Sequence, residues 1–337
     1  MSFMATVPDN STITFAAGGC YGIDTGIEIN DRTGLILEGN GAEFRALTMG
    51  GSSRRTFKMQ GDRGLVLRNM TVRGSLNCAD AISTCSWPAQ PTNLEWQHAY
   101  SFENSHDSTL DNVKAFDVWG DFVEVHHDER LCGCDPMFGK PSTNISVLNS
   151  QFARAGRMGI AITNVDGFLL QNSSIGEVNM AAIDMELDWA GATGRNVRIL
   201  NNTFGRHRFA MFANVGQGEN ESDVLIDGNR STADTVTCQP IVSANVPRPG
   251  LQRTNFTITN NVFRSYGEFV NLNGITGAVI KNNTATHIVG GGCGEGAVVL
   301  VDSHNITVTD NAFRDHNVAV VSRGDLNSGV VDERNTL

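Results

Sequence analysis

Acidic residues at alternate positions are the first feature of this sequence that is suited to catalysis. Glu124 lies in Val-Glu-Val-His-His-Asp, and Asp184, Glu186 and Asp188 lie in Ile-Asp-Met-Glu-Leu-Asp-Trp. Alternate residues of a β-strand point to the same side, so each segment presents its carboxyl groups on one face. Like charges at this spacing raise the pKa of at least one group, as a general acid requires near neutral pH. The pattern therefore predicts acid–base chemistry by paired carboxylates.

Residues suited to bind a sugar accompany these carboxylates. Tryptophan rings stack on the C–H faces of sugars, and three of the four tryptophans adjoin acidic segments. The predicted substrate-binding residues are Glu103, His126, His127, Asp188, Trp119, Trp189 and Arg157. Asp121 is a reserve catalytic candidate because it lies beside Trp119 at the entrance to the Glu124 segment. The alternative readings are a core tryptophan, a loop histidine and a surface ion pair for Arg157.

No metal site is predicted. His126 is followed by Cys132, Cys134 and Asp135, but this spacing does not match the paired cysteines and histidines of zinc sites. We therefore expect no cofactor. A bound Ca²⁺ ion stays a possibility only if the protein is an epimerase or lyase, the alternative described below.

A repeated phrase, apolar-x-apolar-x-Asn, predicts the elements that position these residues. It ends at Asn69, Asn149, Asn201, Asn260 and, with Asp in place of Asn, Asp310. Looser copies end at Asn40, Asn172, Asn229 and Asn283. The spacing of roughly 20–37 residues is typical of the coils of a solenoid. Each phrase predicts a strand, and its Asn suits a left-handed turn and a ladder with the Asn of the next coil.

A second strand precedes the phrase in seven coils. These strands begin at Tyr100, Val123, Ile160, Ile183, Met211, Ile241 and Val270, and their second and fourth residues should point outward. The outward residues are then acidic around Glu124 and Asp184. Toward the C-terminal end they are uncharged: Phe212 and Asn214, then Val242 and Ala244, then Asn271 and Asn273.

Glu124 and Asp184 belong to coils separated by one coil, whose outward residues Ala161 and Thr163 are small and should leave a trough. Stacked strands place the two backbones about 10 Å apart. The carboxyl groups of inverting glycosidases are about 6.5–9.5 Å apart, and those of retaining enzymes roughly 5 Å apart. Because the two side chains could lean toward each other and shorten the distance, the stereochemical outcome stays open.

The repeat, from about Leu35 to Val321, resembles the pectin-lyase-like superfamily, which includes polygalacturonases, polysaccharide lyases, alginate epimerases and phage tailspike glycanases. The resemblance implies an all-β fold, a right-handed parallel β-helix of about ten to twelve coils, with residues 1–337 as one domain. Insertions near 75–95 and 127–143 should wall a groove above the acidic residues. The Asn-Thr-Asp, Gly-His-Gly and Arg-Ile-Lys segments of polygalacturonases are absent, and of the epimerase motif only a terminal His-Asp is present.

The amino-acid composition limits the classes of molecule that the protein is expected to bind. The formal net charge of −11 disfavours a nucleic acid as binding partner, and an acidic outward face disfavours an anionic uronate polymer as substrate. No apolar run reaches the length of a membrane span, and no signal peptide is visible. We expect a polysaccharide partner and a secreted or virion-associated protein, and a homo-oligomer stays open.

Three hypotheses on function follow. The first is a glycoside hydrolase in which Glu124 pairs with Asp184 or Glu186. The second is a lyase or uronate epimerase that uses His126 with an acidic partner. The third is a glycan-binding or tail-fibre module without catalysis.

Overall fold

Parallel strands in register form every sheet of the computed structural model, which describes residues 3–77, 94–131, 139–187, 189, 191–214, 216, 220–231, 238–245, 253–288 and 296–337. In these ranges one sheet has eleven strands: Ile27–Asn30, Phe57–Gln60, Tyr100–Glu103, Val123–His126, Ile160–Ile162, Ile183–Met185, Phe212–Asn214, Val242–Asn245, Val270–Asn273, Val298–Val301 and Val320–Arg323. Each of these strands pairs with its neighbour one coil away. We call it the eleven-stranded sheet.

The remaining strands of the described residues form a twenty-one-stranded sheet that completes each coil. They are Thr12–Thr14, Cys20–Ile23, Ile36–Ala46, Val66–Arg73, Thr109–Asp111, Lys114–Val118, Ser142–Leu148, Gln151–Ala155, Val165–Gln171, Ser174–Val178, Thr193–Leu200, Thr203–Phe204, Asn220–Asp227, Arg230–Ser231, Arg253–Thr259, Val262–Ser265, Ile275–Lys281, Thr284–His287, His304–Thr309, Ala312–Arg314 and Val331–Glu333. A short 3-10 helix covers Phe3–Thr6. The architecture is the predicted right-handed parallel β-helix, and the described part has no helix long and apolar enough to cross a membrane.

The interior of the helix is one continuous apolar cluster that runs from Met4 to Phe313. Inward positions of successive strands fall on top of one another, as with Phe57 and Tyr100, whose rings stack with their centroids 5.7 Å apart. The apolar-x-apolar pattern therefore buries one side of each strand and leaves the other side for polar residues.

The predicted left-handed turns are confirmed at the ends of the repeated phrases. Asn69, Asn149, Asn201 and Asn260 have φ values from 52° to 56°. The buried ladder contains two of the looser phrase ends, Asn229 and Asn283, and at Asn202, Asn261 and Asn311 the residue that follows a phrase end. Its members in successive coils are Asn202, Asn229, Asn261, Asn283, Asn311 and Asn335. Each side-chain oxygen accepts from the backbone N–H and the side-chain amide of the previous member.

The predicted outward residues are wrong in two strands. Phe212 and Val242 are fully buried, whereas Ala213 and Ser243 occupy the outward column. The reason is that the turn before each strand also buries a residue, here Met211 and Ile241. Two adjacent apolar residues are therefore buried, and period-two alternation alone selects the wrong frame.

Residues 78–93 of the first predicted insertion and residues 132–138 of the second lie outside the described residues. Cys78, Cys85, Cys132 and Cys134 lie in these two stretches.

Replacement of Asn261 by Ala should destabilise the protein strongly. The change leaves the buried backbone N–H of Asn229 without its acceptor, and it removes the hydrogen bonds that Asn261 accepts from the side-chain amide of Asn229 and donates to the carbonyl of Ile226. Unsatisfied buried groups cost about 1–3 kcal/mol each, so we expect a loss of about 3 kcal/mol or more in the free energy of unfolding, measured by urea denaturation. The neighbouring Asn260→Gly variant should lose less than about 1 kcal/mol, because Asn260 is exposed and glycine accepts its left-handed turn. Equal losses for the two variants would contradict this role of the ladder.

Candidate active site

One outward column of the eleven-stranded sheet carries the predicted carboxylate pair. Register pairing aligns Ser101, Glu124, Ala161 and Asp184 in four successive coils. Glu124 and Asp184 are therefore two strand spacings apart, about 10 Å between their backbones, with alanine between them. The trough expected at this point is closed, since Ala161 is 1% exposed and Thr163 6% exposed.

The turn before each of these strands adds a second column at one edge of the sheet. Arg55, His98 and Asp121 each lie two residues before the aligned residues Phe57, Tyr100 and Val123. With Arg157 of the next coil they form a group that we call the charged edge. Close approach of the turns requires Gly120, because a Cβ atom there would lie 2.4 Å from the carbonyl oxygen of Glu95 and 2.9 Å from His98 Nδ1.

Glu124 is almost fully buried against the charged edge. Its Oε2 accepts hydrogen bonds from Arg55 Nε at 3.1 Å and Ser101 Oγ at 2.8 Å, and its Oε1 lies 3.4 Å from His98 Nε2. Burial by itself raises the pKa of a carboxyl group. Attraction to His98, followed by Arg55 and His126, outweighs burial and holds the pKa of Glu124 well below its usual range. Glu124 is therefore ionised at neutral pH.

His98 links the two buried carboxyl groups. The backbone N–H of Asp121 donates to His98 Nδ1 at 3.0 Å, so this nitrogen is an acceptor in the neutral ring and the proton is on Nε2. Nε2 faces Glu124, but at 3.4 Å and without the geometry of a hydrogen bond to any described residue. The contact between His98 and Glu124 is therefore mainly electrostatic.

Asp121 is fully buried and cannot meet a substrate in this structure, which corrects its place as a reserve catalytic residue. Its carboxylate accepts from Arg157 at 2.9 Å and from the backbone N–H of Met158 at 2.9 Å. Burial raises the pKa of Asp121, and Arg157 and His98 oppose that rise. Arg157 also donates to Glu186 at 2.7 Å, so its guanidinium bridges two acidic groups. Its predicted role as a substrate contact is therefore replaced by these two ion pairs. Asp121 and Arg157 thus act as positioning residues.

Glu103 is also buried, which corrects its prediction as a substrate contact. Its carboxylate lies 3.3 Å from Lys58 Nζ and accepts from Gln60 Nε2 at 2.5 Å. Burial raises the pKa of Glu103, and Lys58 opposes this. Lys58 and Arg55 also contact Glu129, so basic residues partly neutralise a face that the sequence indicated as purely acidic.

The aromatic candidates separate into two groups. Trp119 is buried against Leu76 and Leu94, so it packs the interior of a turn and its predicted contact with substrate is wrong for this structure. Trp189 is partly exposed and packs edge-on against His127, with ring centroids 4.8 Å apart.

The two histidines are in contact with each other. The rings of His126 and His127 lie 3.8 Å apart between their centroids, and His126 Nδ1 is 2.8 Å from the carbonyl oxygen of His127. Both are partly exposed, so their predicted role as substrate contacts stays open to test. Asp188, the third acidic residue of its segment, lies outside the described residues.

Asp184 is 6% exposed and therefore buried, though less completely than Glu124 at 2%. It lines a pocket of about 200 Å³ on the side of the following coils, together with Phe209 and Ala213. Glu186, two residues further, keeps about one fifth of its side chain exposed. Of the predicted acids, these two are placed to meet a ligand.

Sequence reasoning missed Arg55, Lys58 and His98. None lies in the acidic segments, but each has a signal once the coils are aligned. Lys58 occupies the outward position of its strand, and Arg55 and His98 occupy the same turn position as Asp121. In the described part of the chain, no group of three or more His, Cys, Asp or Glu side chains is arranged to hold a metal ion.

Comparison with known proteins gives no match to a family model and none to a curated protein. Solved structures do match over nearly the whole chain. The surface adhesin PfbA of Streptococcus pneumoniae is 16% identical, with a TM-score of 0.65, over 96% of this chain and 83% of PfbA.

Two enzymes share the same architecture. An endo-xylogalacturonan hydrolase of Aspergillus tubingensis is 11% identical with a TM-score of 0.57, over 97% of this chain and 89% of the enzyme. The A-module of a mannuronan C-5 epimerase of Azotobacter vinelandii is 14% identical with a TM-score of 0.60, over 97% and 87%. At these identities the likeness concerns the fold alone. The chain thus has the same fold as these proteins, the right-handed parallel β-helix, as its repeat predicts.

Proposed function

We propose that this protein is a glycoside hydrolase that cleaves a polysaccharide on the outer face of the eleven-stranded sheet. The observation that carries the proposal is the column in which Glu124 and Asp184 flank Ala161. Their backbones lie two strand spacings, about 10 Å, apart, and side chains that lean toward each other would reach the roughly 6.5–9.5 Å between the carboxyl groups of inverting hydrolases. A hydrolase of polysaccharides is also among the proteins of the same fold.

The roles follow from the surroundings of the two acids. Glu124, whose pKa is lowered, accepts a proton from the attacking water. Asp184 lines the open pocket and donates a proton to the glycosidic oxygen as the bond to the anomeric carbon breaks. We prefer Asp184 to Glu186 as the acid because Arg157 donates to the Glu186 carboxylate, which favours its ionised form.

Binding without cleavage is the second candidate. The observation that favours it is the burial of Glu124, which is 2% exposed and surrounded by cationic and polar partners. A surface adhesin with this fold gives the candidate further support.

The lyase or epimerase alternative has less support. It requires an acidic partner for His126, and the neighbour in register, Glu103, is bound by Lys58 and Gln60. An unsaturated, ultraviolet-absorbing product would nevertheless establish a lyase.

We also propose that the protein is secreted or displayed on a surface. Cys238 forms a disulfide bond, which persists in oxidising compartments. The adhesin PfbA is a surface protein.

Substitution of either catalytic acid tests the hydrolase. The protein should release reducing ends from at least one member of a panel of bacterial and plant polysaccharides. Glu124→Gln and Asp184→Asn should each lower kcat by about 10²–10⁴-fold, because each removes one proton transfer. Glu28→Gln is the matched control, since Glu28 occupies the same outward column three coils away and should retain full activity. Full activity of Glu124→Gln would refute the site, and binding of a polysaccharide without reducing ends would favour the second candidate.

The pH profile tests the role of His98. Since the pKa of Glu124 is held well below its usual range, the acidic limb of kcat/KM should lie at lower pH than the pKa of an ordinary glutamate. His98→Asn removes a group that lowers this pKa, so the limb should move to higher pH by about 1 unit or more. A purely structural role would reduce the amount of active protein and leave the limb in place. His106→Asn is the control, because His106 bonds to Thr143 away from the site and its loss should not move the profile.

A further inference from the structure

The pocket beside Asp184 has a construction of its own. Its floor is made of Ala181, Ala210 and Ala213. Ala213 occupies the same outward column as Glu124 and Asp184, and its small side chain leaves the space above it empty. Ala213 is the smallest of the three residues of this column that line the pocket, between Asp184 and Ser243.

The walls of the pocket divide into an apolar and a polar part. Phe209, 38% exposed, and Met180 form the apolar part, and Phe209 is one of few large aromatic residues exposed in the described chain. Gln239, Ser243 and Asp184 supply hydrogen-bonding groups. A pyranose ring has a matching division, with an apolar C–H face and a rim of hydroxyl groups, and aromatic rings are the platforms on which such faces pack.

Size and charge narrow the ligand further. Pockets for drug-sized molecules usually measure about 300–1,000 Å³, so a pocket of about 200 Å³ fits a single ring. Asp184 is the one charged residue among the described residues that line it. A sugar carboxylate would meet this carboxylate as a like charge, which is unfavourable.

We propose that this pocket is a subsite for one neutral pyranose unit. The C–H face of the sugar packs against Phe209, and its hydroxyl groups bond to Gln239 and Ser243. The subsite rests on the proposed function in one respect: the bound sugar is taken to be a unit of the polysaccharide that is cleaved next to Asp184. The subsite sets the direction in which the bound polysaccharide runs, from Asp184 toward the C-terminal coils of the protein.

Binding of monosaccharides to the whole protein tests the subsite. The probes are methyl β-glucopyranoside, methyl β-galactopyranoside and methyl α-mannopyranoside, with glucuronate and galacturonate as charged counterparts, titrated by saturation-transfer NMR. At least one neutral glycoside should bind, and the uronates should bind at least about tenfold more weakly. Ala213→Leu, which fills the pocket, and Phe209→Ala, which removes the platform, should each weaken binding about tenfold or more.

Matched controls separate these effects from general damage. Asn271→Leu adds a leucine to the same outward column two coils beyond Ala213, outside the pocket, and Phe3→Ala removes an exposed phenylalanine at the other end of the chain. Both should bind as the unchanged protein does. No binding by any neutral glycoside, equal binding of uronates, or unchanged binding by Ala213→Leu would overturn the subsite.

The subsite and the hydrolase can fail separately. Binding that Ala213→Leu abolishes, in a protein that cleaves no polysaccharide, would support the subsite and refute the hydrolase. Cleavage by Ala213→Leu with an unchanged KM would refute the subsite and leave the hydrolase intact.

Discussion

Parallel pairing in register is the constraint on which the rest of this structure depends. Strands of the eleven-stranded sheet repeat at about 4.8 Å, and each residue lies directly above its counterpart in the previous coil. A shift by one residue would exchange the buried and the exposed side of a strand. Left-handed turns and the buried asparagine ladder maintain the register, because each asparagine binds the backbone N–H and the amide of the coil before it. Distant residues such as Glu124 and Asp184 thereby acquire a defined separation.

The same constraint brings opposite charges together in the interior of one face. Arg55, His98 and Asp121 share a turn position in three coils, and Glu124 lies next to them. Removal of one partner from a buried pair costs about 3–5 kcal/mol, so the network holds its members firmly in place. Its consequence for chemistry is an ionised, immobile Glu124. Preorganised charge of this kind is useful for catalysis, since no reorganisation is needed during the reaction.

Periodicity made the fold predictable, and the exceptions have identifiable causes. The apolar-x-apolar-x-Asn phrases located strands and turns, and the column with Glu124, Ala161 and Asp184 followed from alternation. Alternation failed at Phe212 and Val242, because a buried turn residue precedes each strand. The burial of Asp121, Glu103 and Trp119 was not predictable, since it depends on partners from other coils, such as Arg157 and Lys58. Aligning turn positions as well as strands would have indicated Arg55 and His98.

The separation of the two carboxylates has a direct chemical consequence. Two strand spacings place the two backbones about 10 Å apart, which is nearer to the roughly 6.5–9.5 Å between the carboxyl groups of inverting hydrolases than to the about 5 Å of a retaining pair. The decisive measurement is the anomeric configuration of the sugar first released from a cleaved polysaccharide, followed by proton NMR before mutarotation. Inversion is the predicted result. Retention would contradict the assignment of Glu124 and Asp184 as the catalytic pair.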